Sequence, residues 1–358
     1  MKILYGIQGT GNGHLTRARA LVPYLRAQKV TIDFVISGRK PADLFDAGIF
    51  NDRIQFFEGA NLASKNGQLS VYKTLTQNRF LPFLKDVLNL DFNDYDLVVS
   101  DFEPITAWGA KLRNKTSLGL SHQAAFSFPV PKIKGFTASK MLTRCIAPCQ
   151  FQVGFHFHHF GYPILPPLIE TISAGQPTPN DYVVYMPFEN KEQVIQWLTP
   201  FSNVHFTLYC DVKEQIQLNH ISLQPLSHDL FHQHLQTATG VICNAGFGLL
   251  SESLHLGKKL FVKPLLGQYE QLSNALALQI MRRGTVATSL NHNLLAQWLN
   301  LDIPDNLHFN AVAEPLAKWI CRGDLVNKEE LLSTVWSDNR FDYSGSFRDT
   351  INLNQVFA

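Results

Sequence analysis

A histidine set in a glycine-rich turn raises the first chemical question. The stretch Gly9-Thr10-Gly11-Asn12-Gly13-His14-Leu15-Thr16-Arg17-Ala18 follows the apolar run Lys2-Ile3-Leu4-Tyr5-Gly6. In such a turn no side chain blocks the approach of an anion to the backbone N–H groups of Gly11, Asn12 and Gly13, and a helix N-terminus favours negative charge there. The same helix end disfavours imidazolium, so His14 is expected to be neutral and able to take a proton from a hydroxyl. The plainer alternative is a first-turn histidine that donates to a phosphate or to backbone. The dinucleotide fingerprint fits at Gly9 and Gly11, but His14 takes its sixth position, and Asp33 lies inside the second strand rather than at its end. A dehydrogenase is therefore disfavoured.

A second arrangement of the same kind lies in Val241–Gly284. A strand ends at Asn244-Ala245-Gly246, and a helix is expected to start near Phe247-Gly248, giving Gly246, Phe247, Gly248 and Leu249 as a second phosphate cradle. Glu252 follows within two turns, and its carboxylate could accept from both hydroxyls of a ribose. Gln271 and Asn274 are three residues apart, so one helical face would present two amides to the same cleft.

Three further clusters could carry chemistry. Asp101 and Glu103 in Ser-Asp-Phe-Glu-Pro (100–104) could each orient His14, although an acid before Pro104 also reads as a helix cap. His156 and His158 in Phe-His-Phe-His-His-Phe (155–160) share one side of a strand, but no acid or cysteine follows at ligand spacing, so no metal is expected. Asp94-Tyr95-Asp96 resembles a metal-binding DxD, yet it precedes its strand and so lies at the wrong end for a site in this topology.

The elements that must hold these groups alternate along the chain. Apolar runs at 2–7, 31–37, 95–101 and 116–122 are separated by amphipathic stretches such as Leu15, Ala18, Val22 and Leu25, which argues for a parallel sheet covered on both faces. Residues 161–181 hold five prolines and two glycines and read as a linker, after which strands restart at 181–188, 204–210, 240–246 and 258–264. The expected fold class is α/β, with two Rossmann-like parallel-sheet domains facing across a cleft. Their expected bounds are a first domain at 1–162, a linker at 163–180, a second domain at 181–335, and a segment 336–358 packing back on the first.

Length and composition fit two packed domains: 358 residues, 45% hydrophobic and 17% charged, which excludes a disordered chain. No apolar run reaches the roughly 20 residues of a membrane span. Five cysteines in no regular framework read as reduced thiols, and a cytoplasmic protein is expected. Residues 1–165 carry 19 Lys+Arg against 11 Asp+Glu, a net +8, whereas residues 166–358 carry 12 against 18, a net −6. The basic half suggests an anionic partner, and its spread charges fit a phosphate-bearing substrate or an anionic membrane better than nucleic acid. Residues 126–144 mix Phe126, Phe128, Ile133 and Phe136 with Lys132, Lys134, Lys140 and Arg144, the composition of a segment resting on the inner face of a membrane or of an ordinary acceptor-side loop.

The 241–284 segment resembles the donor-binding region of GT-B nucleotide-sugar glycosyltransferases. It is most similar to the family 28 branch that includes the N-acetylglucosaminyltransferase of the peptidoglycan lipid precursor. The residues that carry this are Ala245-Gly246, Glu252, Gly257, Pro264, Gln271-Leu272-Ser273-Asn274-Ala275 and Gly284, together with Gly-Thr-Gly-Asn-Gly-His at 9–14. The resemblance implies a GT-B fold and a UDP-sugar donor. By the same resemblance Glu252 sits on the uridine ribose, Gln271 and Asn274 on the donor's sugar or diphosphate, and Phe247–Leu249 on the diphosphate. It also implies inverting transfer to a hydroxyl; His14 is the expected base, and no cofactor is expected. Asn244 departs from the Arg or Ser of that pattern, and Ser-His-Gln-Ala-Ala-Phe-Ser-Phe-Pro-Val (121–130) matches the acceptor motif only loosely, so the acceptor, lipid- or glycan-linked or other, does not carry over. A UDP-sugar epimerase of the same plan and a non-catalytic nucleotide-sugar sensor remain as alternatives.

Overall fold

A computed structural model describes residues 1–44, 47–50, 53–58, 64–65, 68–69, 80–133, 145–170 and 173–337. Among them, two parallel sheets dominate. The first has six strands in the order β3-β2-β1-β6-β7-β8, with β1 Lys2–Gln8, β2 Thr31–Ser37, β3 Ile54–Phe57, β6 Leu97–Asp101, β7 Ser117–Ser121 and β8 Phe151–Gly154. A two-stranded pair, β4 Ser64–Lys65 and β5 Gln68–Leu69, lies outside it. The central strands β1 and β6 are buried on nearly every residue, as expected of strands covered by helices on both faces.

The second sheet has seven strands in the order β11-β12-β10-β9-β13-β14-β15. Its parallel core is β9 Asp181–Tyr185, β10 His205–Tyr209, β12 Ile221–Gln224, β13 Gly240–Cys243, β14 Lys259–Val262 and β15 Thr285–Val286, with β11 Ile216–Leu218 antiparallel at one edge. The sequence places the central strands of both sheets. It does not reveal β3, β8, β11, β12 and β15, which are short or lie at or next to a sheet edge, where alternation leaves little apolar signal.

The helix α1, Asn12–Ala27, follows β1 and buries Leu15, Ala18, Leu21, Val22 and Leu25 in a core that also takes in Leu250 and Leu254 of the helix Phe247–His255. The helix Ala313–Arg322 adds Leu316 and Ile320 to that core and packs on α1. Lys328 and Trp336 then reach first-lobe and linker carbonyls, those of Gln152 and Ile164. The chain therefore returns to the first lobe at about Ala313, earlier than the expected boundary at 335. The reason is the apolar face of that helix, which the sequence reading had assigned to the second domain. Residues 338–358 lie outside the described residues, as do Lys134, Phe136, Lys140 and Arg144 of the basic, apolar segment. Within its described part, Phe126 is buried against His122 and Tyr269 rather than exposed, and Lys132 donates to the carbonyls of Phe126 and Phe128.

Candidate active site between two helix mouths

Both glycine turns stand where parallel strands end and helices begin, at the carboxyl edges of the sheets. Gly11 is the N-cap of α1 and Gly246 the N-cap of the helix Phe247–His255, and neither has a side chain to cap with. The first N–H groups of each helix, at Asn12, Gly13 and His14 and at Phe247, Gly248 and Leu249, therefore have no intrahelical partner. The two mouths approach each other: a Cβ on Gly248 would lie only 3.7 Å from the Gly13 Cα. Arg39 fixes the first turn by donating to the Gly9 carbonyl at 2.8 Å and to Asn12 Oδ1 at 2.8 Å.

His14, in the first turn of α1, meets the end of β6. Its Nδ1 lies 2.7 Å from Asp101 Oδ1. Arg17, one turn further along α1, donates from Nε to Asp101 Oδ2 at 2.9 Å and from Nη2 to Oδ1 at 2.5 Å. Asp101 is fully buried. Burial pushes its carboxyl up, but Arg17 and then His14 outweigh that and hold it below its ordinary value. An ionised Asp101 at 2.7 Å requires the ring hydrogen on Nδ1, which leaves the Nε2 lone pair for a substrate. Arg17 Nη2, also 2.7 Å from Nδ1, is then a neighbouring charge rather than a donor to the ring.

The chain separates the two acids of 100–104 by a local backbone device. Phe102 has φ +56°, a left-handed conformation that costs a bulky residue about 1–3 kcal/mol and marks a sharp turn. Before that turn Asp101 faces α1. After it Glu103 caps the helix Pro104–Leu112, accepting from the N–H groups of Ile105 and Thr106 at 2.8 and 2.7 Å. The two readings of the acids thus divide between the two residues. Phe102 also lies parallel to the His14 ring, centroids 6.3 Å apart. Arg17 was missed from sequence; its signal was a cation three residues after His14 on a helix face otherwise buried.

The second mouth is built differently. Asn244 donates from Nδ2 to the Lys263 carbonyl at 2.8 Å, tying the ends of β13 and β14. Asn274 is fully buried: Nδ2 donates to the Ala245 carbonyl at 3.0 Å, and Oδ1 lies 2.7 Å from His122 Nε2. Gln271 is 5% exposed, and its Oε1 accepts from Leu265 N–H at 2.8 Å. The expectation that these two amides face an open cleft is thereby corrected. They satisfy backbone groups of two loops that would otherwise be buried without partners.

His122 carries the first lobe to this point. Its ring stacks on Phe247 at 3.8 Å and 8°, and burial holds its pKa below the ordinary value against an upward pull from Glu270. Gln123 donates to Glu270 at 2.9 Å beside it. Glu252, expected to stand open to the gap, is only 5% exposed, with Oε2 3.4 Å from His232 Nε2.

The histidines of 155–160 are structural. His156 Nδ1 accepts from Phe157 N–H and His158 Nδ1 from Phe160 N–H, and burial pushes His158 down to about 3. Asp96 takes the Lys2 N–H at the strand start, far from either mouth.

Comparison with known proteins gives the family and the fold. The family described as "Glycosyl transferase family 1" matches residues 1–304. Among solved structures, the glycosyltransferase of kitacinnamycin superposes with TM-score 0.60 at 12% identity, covering 90% of this chain and 98% of that one. LpCGTa in complex with UDP gives 0.58 at 13%, covering 94% and 98%. Arabidopsis thaliana UGT89C1 complexed with UDP-L-rhamnose gives 0.58 at 12%, covering 90% and 94%. No curated protein matches the chain. These likenesses establish the two-sheet GT-B architecture, and the family match spans most of the sequence without singling out the family 28 branch. The chain belongs to glycosyl transferase family 1 and is a glycosyltransferase of the GT-B type.

Proposed function

We propose that this glycosyltransferase moves a sugar, a hexose, from a UDP donor to a hydroxyl acceptor with inversion at the anomeric carbon. The observation that carries the reading is the His14–Asp101 contact of 2.7 Å beside two uncapped helix mouths. The acceptor oxygen attacks the anomeric carbon while its proton passes to His14 Nε2. The bond from that carbon to the diphosphate oxygen breaks on the opposite face. The imidazolium formed is stabilised by buried Asp101, as in His–Asp pairs generally. The N–H groups at 247–249 and 12–14 receive the charge that develops on the leaving diphosphate.

Support for uridine comes from the spacing Gly246–Glu252–Gln271–Asn274, which resembles the peptidoglycan branch of family 28, and from the UDP and UDP-L-rhamnose complexes of two structural relatives. In this reading Glu252 exchanges its contact with His232 for the two ribose hydroxyls. Asn274 and Gln271 position the mouth rather than touch the donor.

A thermal-shift panel tests the assignment. UDP and UDP-sugars raise the melting temperature, dinucleotides do not, and Glu252→Ala removes the UDP shift. A shift by dinucleotides alone would exclude a sugar-nucleotide donor. Consumption of UDP-sugar into an epimer with no acceptor present would favour the epimerase.

A further inference from the structure

Glu170, His228 and His232 converge beside the second lobe. Each offers one ligand atom, and the three atoms lie within 4.8 Å of one another. His228 and His232 are four residues apart on the helix His228–Thr237, so one helical face presents both rings, whose centroids are 4.1 Å apart. Glu170 comes from the linker, with Oε1 3.6 Å from His228 Nε2. Glu170 raises the His228 pKa across that separation, which is also close to the roughly 3.3 Å that two ligands keep when they share a tetrahedral zinc ion at about 2.0–2.1 Å each.

The surroundings fit an ion as well as the three ligands do. Asp229 Oδ1 lies 3.3 Å from His228 Nδ1, the opposite side of that ring. A carboxylate there holds the hydrogen on Nδ1 and turns the Nε2 lone pair toward Glu170, the usual outer support of a metal-bound imidazole. His232 has its own carboxylate in Glu252, 3.4 Å from Nε2. The charged groups around the rings are Glu170, Asp229 and Glu252 against Arg19 of α1, whose charge is felt by both Glu170 and His228. With neutral imidazoles the cluster carries net −2, which one divalent cation balances. Two imidazoles and one carboxylate suit zinc or a similar first-row ion and not magnesium or calcium, which take oxygen ligands.

We propose that Glu170, His228 and His232 form a zinc-class metal site that ties the interlobe linker to the second lobe. The sequence signal was His-x-x-x-His in Ser-His-Asp-Leu-Phe-His (227–232), with the third ligand 58 residues upstream and legible only in the fold. The site meets the nucleotide reading at one point, because its ligand His232 also contacts Glu252.

Isothermal titration of zinc chloride into the full chain, freed of metal by chelator, tests it, with magnesium chloride in parallel. One zinc is expected to bind per chain and magnesium not at all. His228→Ala and His232→Ala abolish that binding, and Asp229→Asn, an exposed change that leaves the fold intact, weakens it about tenfold. Absence of stoichiometric zinc binding would overturn the proposal. So would zinc binding of unchanged affinity in both alanine variants, because the ion would then be held elsewhere, for example by thiols. UDP binding measured on the same samples keeps the two readings separate: loss of zinc with UDP binding intact removes this site alone.

Discussion

The two helix mouths have the same plan and opposite chemistry. Each follows a buried parallel strand, each opens on a glycine cap, and each leaves its first N–H groups for an anion. The first mouth adds a titratable ring backed by a buried ion pair, His14 on Asp101 and Arg17. The second adds neutral amides, Asn244, Gln271 and Asn274, whose hydrogen bonds go to backbone, to His122 and to Glu189. A shared loop architecture therefore suits a charged ligand at either mouth, but does not say which side of it reacts. The side chains decide that. In the proposed reading the first mouth exchanges the proton, and the second holds the donor.

The comparison can be broken first at Asp101. Asp101→Asn removes the acceptor that fixes the His14 tautomer and is expected to lower sugar transfer by about 10²–10⁴-fold. The check is UDP release across a panel of hydroxyl acceptors, using protein whose folding is confirmed by circular dichroism. Next comes Arg17→Met, which leaves Asp101 buried without its cation. Urea unfolding should show a loss of about 3–5 kcal/mol, the scale for stranding one charge of a buried pair. At the second mouth Asn274→Ala strands the Ala245 carbonyl and the His122 ring, for an expected loss of about 1–3 kcal/mol by the same measurement. Transfer per bound donor should fall far less than in Asp101→Asn. Equal kinetic damage at both mouths would erase the distinction.

A separate expected effect is on pH. Burial holds the pKa values of His122 and His156 below the ordinary range, and His158 at about 3. Unfolded histidines titrate near 6.5, so below that pH the unfolded chain binds more protons than the folded one. Stability is then full above about pH 6.5 and declines as pH falls toward the folded values. The limiting slope is about 1.4 kcal/mol per pH unit for each fully buried ring. Melting temperatures measured from pH 8 to pH 5 check this, and a melting temperature that rises on acidification would contradict it.

Much of the first mouth was legible in sequence. A strand, three glycines and a first-turn histidine mark it locally, because these parts lie within twenty residues. The choice between Asp101 and Glu103 was not legible. It depends on the left-handed turn at Phe102, which no propensity for phenylalanine announces. The helix start at Phe247 was legible, yet the hydrogen bonds of Gln271 and Asn274 were not, because spacing shows that two amides share a helix face but not what covers it. His122 and Asn274 are 152 residues apart and meet only through the packing of one lobe on the other. The same limit hid Glu170 from His228 and His232, and the return of the chain at Ala313.

The account rests on a division of labour in which His14 reacts and the second mouth holds the donor. Parallel measurement of UDP affinity and sugar transfer in His14→Ala tests it most directly. The account predicts UDP binding within about twofold of the parent and transfer at least about 10²-fold slower. Transfer at the parental rate, or a loss of UDP binding as large as the loss of transfer, would contradict it.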